Sequence, residues 1–339
     1  MENKKIRIGQ TVTEYYFGAS LSGLKNVADK QHTILVTDEH VYDAYKQKLK
    51  GWNTIVIKAG EEFKIQETAD ALIDSMIEME ADRKTTLIGL GGGVVTDLTG
   101  YVGSIYMRGI RTGFIPTSLL AMVDASIGGK NGVDVGVYKN LVGCIRQPAF
   151  LYFDTSLLQT LPESEWQNGF AEIIKHAAIK DVGMFRELSA HDFDWYRKKK
   201  PAIAALVRRN ALLKTKVVQG DETEQGDRKL LNFGHTLGHA LENQYELSHG
   251  QAVAIGMTYA AHLSEELVGF RQAERLVELI ARYGLPTYAD FDRSKVFDVL
   301  KHDKKRERSS LHYILLQKIG KGIIHTLPLQ QVKQLIEKI

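Results

Sequence analysis

The chain has 339 residues, of which 44% are hydrophobic and 25% charged, with a formal net charge of +3. That length exceeds one ordinary hydrophobic core and predicts two domains, while the even composition excludes a disordered or low-complexity chain. Lysines and arginines interleave with acids except at Arg197 to Lys200 and Lys304 to Arg308, so no nucleic-acid surface is expected. No apolar stretch approaches the ~18 residues of a membrane span. The opening Met-Glu-Asn-Lys-Lys-Ile-Arg-Ile lacks the apolar centre of a secretion signal, so a cytoplasmic protein with no membrane partner is expected. The single cysteine, Cys144, has no partner for a disulfide or a thiolate site, which leaves His, Asp and Glu as ligands for any metal.

From Thr33 onward, β-branched runs alternate with amphipathic stretches. Thr33–Thr37, Thr54–Ile57 and Thr85–Gly89 read as strands, and Ile65–Met79 reads as a helix. Such alternation predicts a parallel sheet. The last of these strands runs into Gly89-Leu-Gly-Gly-Gly-Val94 and a helical segment through Thr99, the layout of a phosphate-binding strand-turn-helix. A short apolar run, Phe150–Phe153, closes the alternating region. Beyond Pro162 the periodicity predicts helices over Glu163–Ile179, Ala202–Val218, Gly234–Tyr245, Gln251–Val268 and Gln272–Arg282. A hairpin near Leu311–Leu316 and a last helix, Leu329–Ile339, complete the chain. The expected organisation is an α/β domain with a parallel sheet over residues 1–158 and a mostly α-helical domain over residues 159–339, the first a candidate for binding a nucleotide and the second for binding a metal.

The glycine run is not the G-x-G-x-x-G dinucleotide pattern, because Val94 stands where the third glycine belongs, and a plain tight turn would use the same residues. Asp38, closing the first strand where ribose hydroxyls could be received, and Asp97, one turn after the glycines, favour a nucleotide. In Asn232-Phe-Gly-His-Thr-Leu-Gly-His239, the histidines His235 and His239 lie one helical turn apart. Helical pairs of this kind are commonly hydrogen-bonded surface residues, so a third ligand decides their meaning. His249 and Glu172 are candidates, with Lys175 on the same helical face as Glu172. One carboxylate and two imidazoles with an open position is a pattern of catalytic zinc. Arg108, Asp124, Lys130, Lys139 and Asn140 cluster around Gly128-Gly129 and suit a phosphate or carboxylate, although each alone would read as part of a solvated loop.

These segments in this order resemble the 3-dehydroquinate synthases. The likeness rests on Gly60-Glu61-Glu62-x-Lys64, Gly91-Gly-Gly-Val-Val-Thr-Asp97, Pro116-Thr-Ser-Leu-Leu-Ala121, Val123-Asp-Ala-Ser-Ile-Gly-Gly-Lys130 and Lys139-Asn140 in the first half. In the second half it rests on Asn168-Gly-Phe-Ala-Glu-Ile-Ile-Lys175, Leu231-Asn-Phe-Gly-His-Thr-Leu-Gly-His239, His249-Gly250 and Asp303-Lys-Lys305.

The resemblance implies that Glu172, His235 and His249 hold the metal, zinc or alternatively cobalt, and that His239 serves the substrate. It implies an NAD site of Asp38, Glu61, Lys64, Gly92, Gly93, Asp97, Thr117 and Ser118, with Lys130 and Lys139 adjoining. Lys130, Asn140, Lys175, His239 and one of Lys304 and Lys305 would surround a sugar phosphate, Lys214, Arg228 and Asn232 its carboxylate, and Asp124 and Lys139 would complete the pocket. It implies an active site between the domains and a homodimer in which Arg108 reaches the neighbouring subunit's phosphate. The implied reaction is transient oxidation with NAD, phosphate elimination, reduction and intramolecular aldol closure. Asn131 and Val135-Gly-Val-Tyr138 depart from the family's usual Thr and His-Pro-Leu-Gly, with the spacing from Lys130 to Lys139 kept. Other sugar phosphate cyclases, of the inosose or valiolone type, and metal-dependent polyol dehydrogenases are the rival readings. The basic set Lys214 and Arg228, with Asn232, favours the carboxylate-bearing substrate.

Overall fold

The computed structural model describes residues 1–136, 138–242, 244–300, 306–307 and 310–338. It opens with a hairpin of β1 (Glu2–Ile8) and β2 (Thr11–Phe17). There follow β3 (Thr33–Asp38), α1 (Glu39–Leu49), β4 (Asn53–Ile57), α2 (Gln66–Glu78), β5 (Thr86–Gly91), α3 (Gly93–Ile105) and β6 (Arg111–Pro116). Next come β7 (Lys130–Val135), β8 (Tyr138–Ile145) and β9 (Phe150–Phe153). The helices α4 (Glu163–Lys180), α5 (Val182–Ala190), α6 (Phe193–Lys198), α7 (Lys200–Gly220), α8 (His235–Glu242), α9 (His249–Val268), α10 (Ala273–Arg282) and α11 (Arg293–Leu300) succeed them. The chain ends on β10 (Arg306–Glu307), β11 (Ser310–Lys318), β12 (Lys321–Pro328) and α12 (Leu329–Lys338).

Seven strands form one sheet in the order β1-β2-β9-β6-β5-β3-β4. Every pairing in it is parallel except β1 with β2. The sheet is covered on both faces, which is why its strands are continuous apolar runs. Ile34, Val36 and Leu87 pack with Leu72, Met76, Leu98 and Val102 of α2 and α3. Leu35, Ile88 and Leu90 face the other way, onto Tyr45, Leu49 and Ile115. Each such side chain taken fully out of water contributes about 1.5–3 kcal/mol. The sequence reading missed β1, β2 and β6, and it took the stretch containing Lys130 and Asn140 for a loop, where β7 and β8 form an antiparallel pair.

The chain divides into two compact units, Met1–Trp166 with Pro201–Thr223, and Gln167–Lys200 with Glu224–Ile339. A single cut at 158/159 therefore does not follow the contacts, because most of α7 returns to the first unit. The return is made by side chains: Thr215 Oγ1 lies 2.9 Å from Tyr15 Oη, Gln219 Nε2 donates to the Arg7 carbonyl at 2.7 Å, and Arg208 pairs with Glu2 at 2.9 Å. In the second unit α9 is buried along most of its length. It begins in a capping box of Ser248 and Gln251 and stops at Gly269, whose φ of +71° suits a residue without a side chain. Strand β11 docks on it, the Leu316 amide donating to Ser264 Oγ at 2.9 Å. Among the described residues no helix is long and apolar enough to cross a membrane.

Candidate functional site

In the second unit, Glu172 on α4 and His235 and His249, the first residues of α8 and α9, meet in one cluster. Their donor atoms all lie within 4.8 Å of one another. The Nε2 atoms of His249 and His235 stand 3.2 and 3.4 Å from the same oxygen, Glu172 Oε1. Ligands about 2.0–2.2 Å from a tetrahedral zinc are separated by roughly this distance, so the donor set fits that ion. The other ring nitrogens are engaged: His235 Nδ1 faces the Phe233 carbonyl at 3.1 Å, and His249 Nδ1 faces Glu242 at 3.5 Å. Such partners orient an imidazole so that Nε2 presents its lone pair.

The electrostatics of the cluster suit a cation. Burial alone would raise the Glu172 carboxyl, but Lys175, His235 and His249 hold it well below its ordinary value. Burial beside Lys175 pushes His235 down to about 4, which keeps it neutral. Burial would also lower His249, yet hydrogen bonds with Glu172 and Glu242 push it up to about 10. A neutral His235 keeps a lone pair for a ligand bond, and the negative charge of Glu172 and Glu242 beside His249 favours a divalent ion.

His239 sits at the margin of this cluster, its ring centroid 5.1 Å from that of His235 and 6.4 Å from that of His249. Lys175 is 1% exposed and pairs with Glu172 one turn earlier on α4. Arg228 is buried, and Asn232 donates to Glu224, a residue at φ +61°. The sequence reading missed Glu242, Glu224 and Asn168. Glu242 follows His239 by three residues on α8, a spacing that could have flagged it. Asn168 accepts from Ser248 Oγ at 2.8 Å and from the Gly250 amide at 3.0 Å, so it ties the start of α9 to α4.

In the first unit the glycine turn stands at the C-terminal edge of the parallel sheet. A Cβ on Gly91 would lie 2.5 Å from the Val95 side chain, and one on Gly93 would lie 3.3 Å from Ala125. Gly92 caps α3 with no side-chain hydrogen bond, which leaves the first amides of that helix to an anionic ligand. Thr117 donates its amide to the Gly91 carbonyl at 2.9 Å, and Ser118 adjoins Gly92. Asp38 ends β3 at the same edge, where one carboxylate oxygen already caps α1 through the Val41 amide at 2.9 Å.

Lys64 Nζ lies 2.8 Å from Glu61, 3.6 Å from Asp97 and 3.8 Å from Asp134. Burial alone would lower Lys64, but Asp97, Glu61 and Asp134 raise it, so it stays charged. Burial pushes the Asp97 carboxyl up to about 7 against the pull of Lys64. Lys214, on α7, binds the Asp124 carboxylate at 2.9 Å and the Asp124 carbonyl at 2.7 Å. Lys130 begins β7, and Lys139 and Asn140 lie on β8. Arg108 sits in a tight turn with φ +66°. Lys304 and Lys305 lie outside the described residues. Asp134 carries no signal in the sequence beyond its charge.

Residues 54–168 match the family model described as 3-dehydroquinate synthase N-terminal, and residues 169–306 match 3-dehydroquinate synthase C-terminal. A 3-dehydroquinate synthase from Thermoanaerobacter pseudethanolicus is 37% identical over 319 residues, covering 90% of each chain. A solved structure of 2-epi-5-epi-valiolone synthase from Streptomyces hygroscopicus subsp. jinggangensis 5008, with NAD+ and Zn2+ bound, is similar with a TM-score of 0.88. It is 25% identical and covers 99% of this chain and 98% of that one. A 2-deoxy-scyllo-inosose synthase complexed with carbaglucose-6-phosphate, NAD+ and Co2+ shares the fold, with a TM-score of 0.87 at 23% identity over 99% of this chain and 100% of that one. Because the two family models together span most of its length and a relative is 37% identical across 90% of it, the chain belongs to the 3-dehydroquinate synthase family.

Proposed function

We propose that this protein is a 3-dehydroquinate synthase, a lyase that converts 3-deoxy-D-arabino-heptulosonate 7-phosphate to 3-dehydroquinate and phosphate in the shikimate route to chorismate and the aromatic amino acids. The observation that carries this reading is the convergence of Glu172, His235 and His249 in a chain both of whose halves match the family. When bound, NAD supplies a hydride acceptor and donor, and a zinc or cobalt ion supplies Lewis acidity at a substrate hydroxyl.

The chain's own residues bind and orient. The uncapped start of α3 receives the nucleotide's pyrophosphate. Asp38 receives ribose hydroxyls, and the network of Glu61, Lys64 and Asp97 shapes the same edge. In the first unit, Lys130, Lys139 and Asn140 are the groups for the anionic substrate, and Lys214 holds Asp124 in place. In the second, Lys175 and His239 attend the phosphate while Arg228 and Asn232 attend the carboxylate. Fixed cations of this kind stabilise phosphate as it leaves with negative charge. Holding the opened chain in one conformer favours the aldol closure.

The test is to incubate the protein with NAD+, zinc and the seven-carbon keto-acid phosphate, following inorganic phosphate, NADH and the carbocycle. Phosphate release with the carbocycle and no net NADH is the expected result. Net NADH formation would replace this reading with a polyol dehydrogenase, and turnover only of sugar phosphates lacking a carboxylate would replace it with an inosose- or valiolone-type cyclase.

We further infer a homodimer in which Arg108 serves the partner's site, and a cytoplasmic location, which the single cysteine Cys144 suits. The support for the dimer is an apolar surface. Tyr138 is 59% exposed and Leu141 50%, and Val142 and Ile145 on the same strand are exposed as well. Ile105 and Met107, beside Arg108, are also exposed, and Arg146 binds the Gly103 and Ile110 carbonyls that flank this turn at 2.7 and 2.9 Å. An apolar patch of this kind marks a surface that another protein covers.

A further inference from the structure

The pairing of β7 with β8 breaks at one point. Val133 faces Val142 and Val135 faces Tyr138, so three residues of β8, Lys139, Asn140 and Leu141, stand opposite the single residue Asp134. An irregularity of this kind re-aims side chains, and it is common beside functional sites. Here it lifts out the Lys139-Asn140 pair.

Asp134 fills the gap. Its carboxylate oxygen accepts the Asn140 amide at 2.6 Å, and Asn140 has φ +52°, a left-handed conformation that is uncommon outside glycine, that asparagine tolerates best among the others, and that this hydrogen bond fixes here. The same carboxylate lies 3.8 Å from Lys64 Nζ. The Asp134 amide donates to the Lys64 carbonyl at 2.7 Å, and Ile65 bridges to Asp134 in parallel register. Asp134 is thus bonded on one side to the backbone of Lys64, which joins the glycine-turn network, and on the other to the backbone of Asn140.

We propose that Asp134 is a positioning residue: its carboxylate holds Asn140 in the left-handed conformation, presents the Lys139-Asn140 pair to the anionic substrate, and sets that pair in register with Lys64. This rests on the functional reading above for the identity of the substrate, but not for the binding of an anion. Loss of one hydrogen bond to a charged acceptor, together with release of the Asn140 backbone, changes anion affinity about tenfold.

The experiment compares Asp134→Ala, Asp134→Asn and Asp134→Glu in the full chain loaded with zinc. It reads the Kd for inorganic phosphate, the Kd for NADH, and KM and kcat for the keto-acid phosphate. Asp134→Ala is expected to raise KM and the phosphate Kd about tenfold while NADH affinity moves less than about threefold, because Glu61 and Asp97 remain on Lys64. Asp134→Asn keeps an acceptor for the Asn140 amide and is expected to restore phosphate affinity to within about threefold of the parent. Unchanged phosphate affinity in Asp134→Ala would overturn the proposal, as would a parallel loss of phosphate and NADH binding in all three variants. If Asp134→Ala does not fold, Asp134→Glu decides: it keeps the charge near Lys64 but cannot seat a longer arm in the gap, and parental phosphate affinity there would refute the idea. Should the parent release no phosphate from the keto-acid phosphate, the functional reading fails while the phosphate-binding comparison still judges Asp134.

Discussion

Lys175 is a charged side chain almost without access to water, and it is tolerable because Glu172 stands one turn before it. The carboxylate serves two partners at once, the lysine and the histidine pair. Glu172→Gln is therefore expected to lose bound zinc and, in the metal-free protein, to cost on the order of 3 kcal/mol, since a buried cation is left uncompensated. Elemental analysis and urea unfolding in chelator read the two effects, and zinc retained at full stoichiometry would remove Glu172 from the ligand set. Lys64 has the same character in the first unit, with three carboxylates around one ammonium. Asp97 is raised from 3.8 to about 7, so the folded chain holds that proton more tightly than the unfolded one, and this group withdraws stability as pH rises through that interval. Lys64 pulls the Asp97 and Asp134 carboxyls down against burial, so removing it raises those two further and extends the interval upward. The stability deficit of Lys64→Met against the parent should grow between pH 5 and pH 8, as followed by thermal melts; a deficit that shrinks with pH would contradict the network.

The first turn of α9 does more than start a helix. Ser248 caps it, His249 is its first residue, and Asn168 on α4 accepts from both Ser248 Oγ and the Gly250 amide. A Cβ on Gly250 would meet the Asn168 backbone at 2.5 Å, so α4 and α9 touch beside Glu172 and His249, the proposed metal ligands. Asn168→Ala is expected to weaken zinc affinity about 10- to 100-fold without removing a ligand, the usual consequence of losing an outer support. Competition with a chelating dye measures it, and parental affinity would show that α9 is held by other means. In the first unit the equivalent close approach is between α3 and β7: a methyl on Gly100 would collide with the Asn131 side chain, whose amide donates to the Gly129 and Arg146 carbonyls at 2.7 and 3.0 Å. The asparagine that departs from the family's usual threonine is thus a strut of the hairpin, not a surface substitution.

For the whole molecule, the proposed homodimer would cover the exposed apolar residues of β8 and the turn at Arg108. Leu141→Asp is expected to convert a dimer to a monomer in sedimentation velocity, because an ionised carboxylate would be buried at the contact. If Arg108 serves the neighbouring site, mixing inactive Arg108→Ala with inactive Glu172→Gln should recover up to about a quarter of parental activity, on statistical assortment of subunits into symmetric pairs. Absence of recovery in confirmed mixed dimers would place Arg108 in its own subunit's site.

Local rules made parts of both halves legible. The order of strand, glycine turn and helix and the placing of Lys175 on the face of Glu172 depend on residues within about four positions of one another, which backbone geometry alone relates. The periodicity likewise shows helices over most of α4, α7, α8, α9 and α10. Packing decided the rest. The choice between His239 and His249 beside His235 could not follow from helical spacing, because His249 reaches Glu172 across 77 residues of chain. The return of α7 to the first unit depends on Thr215, Lys214 and Gln219 meeting partners between about 90 and 212 residues away. Asp134 gained its meaning only when an uneven strand pairing placed Asn140 opposite it. Short-range pattern determines which elements form and which faces are apolar; which donors converge is set by long-range contacts whose loop-closure cost only the assembled core repays.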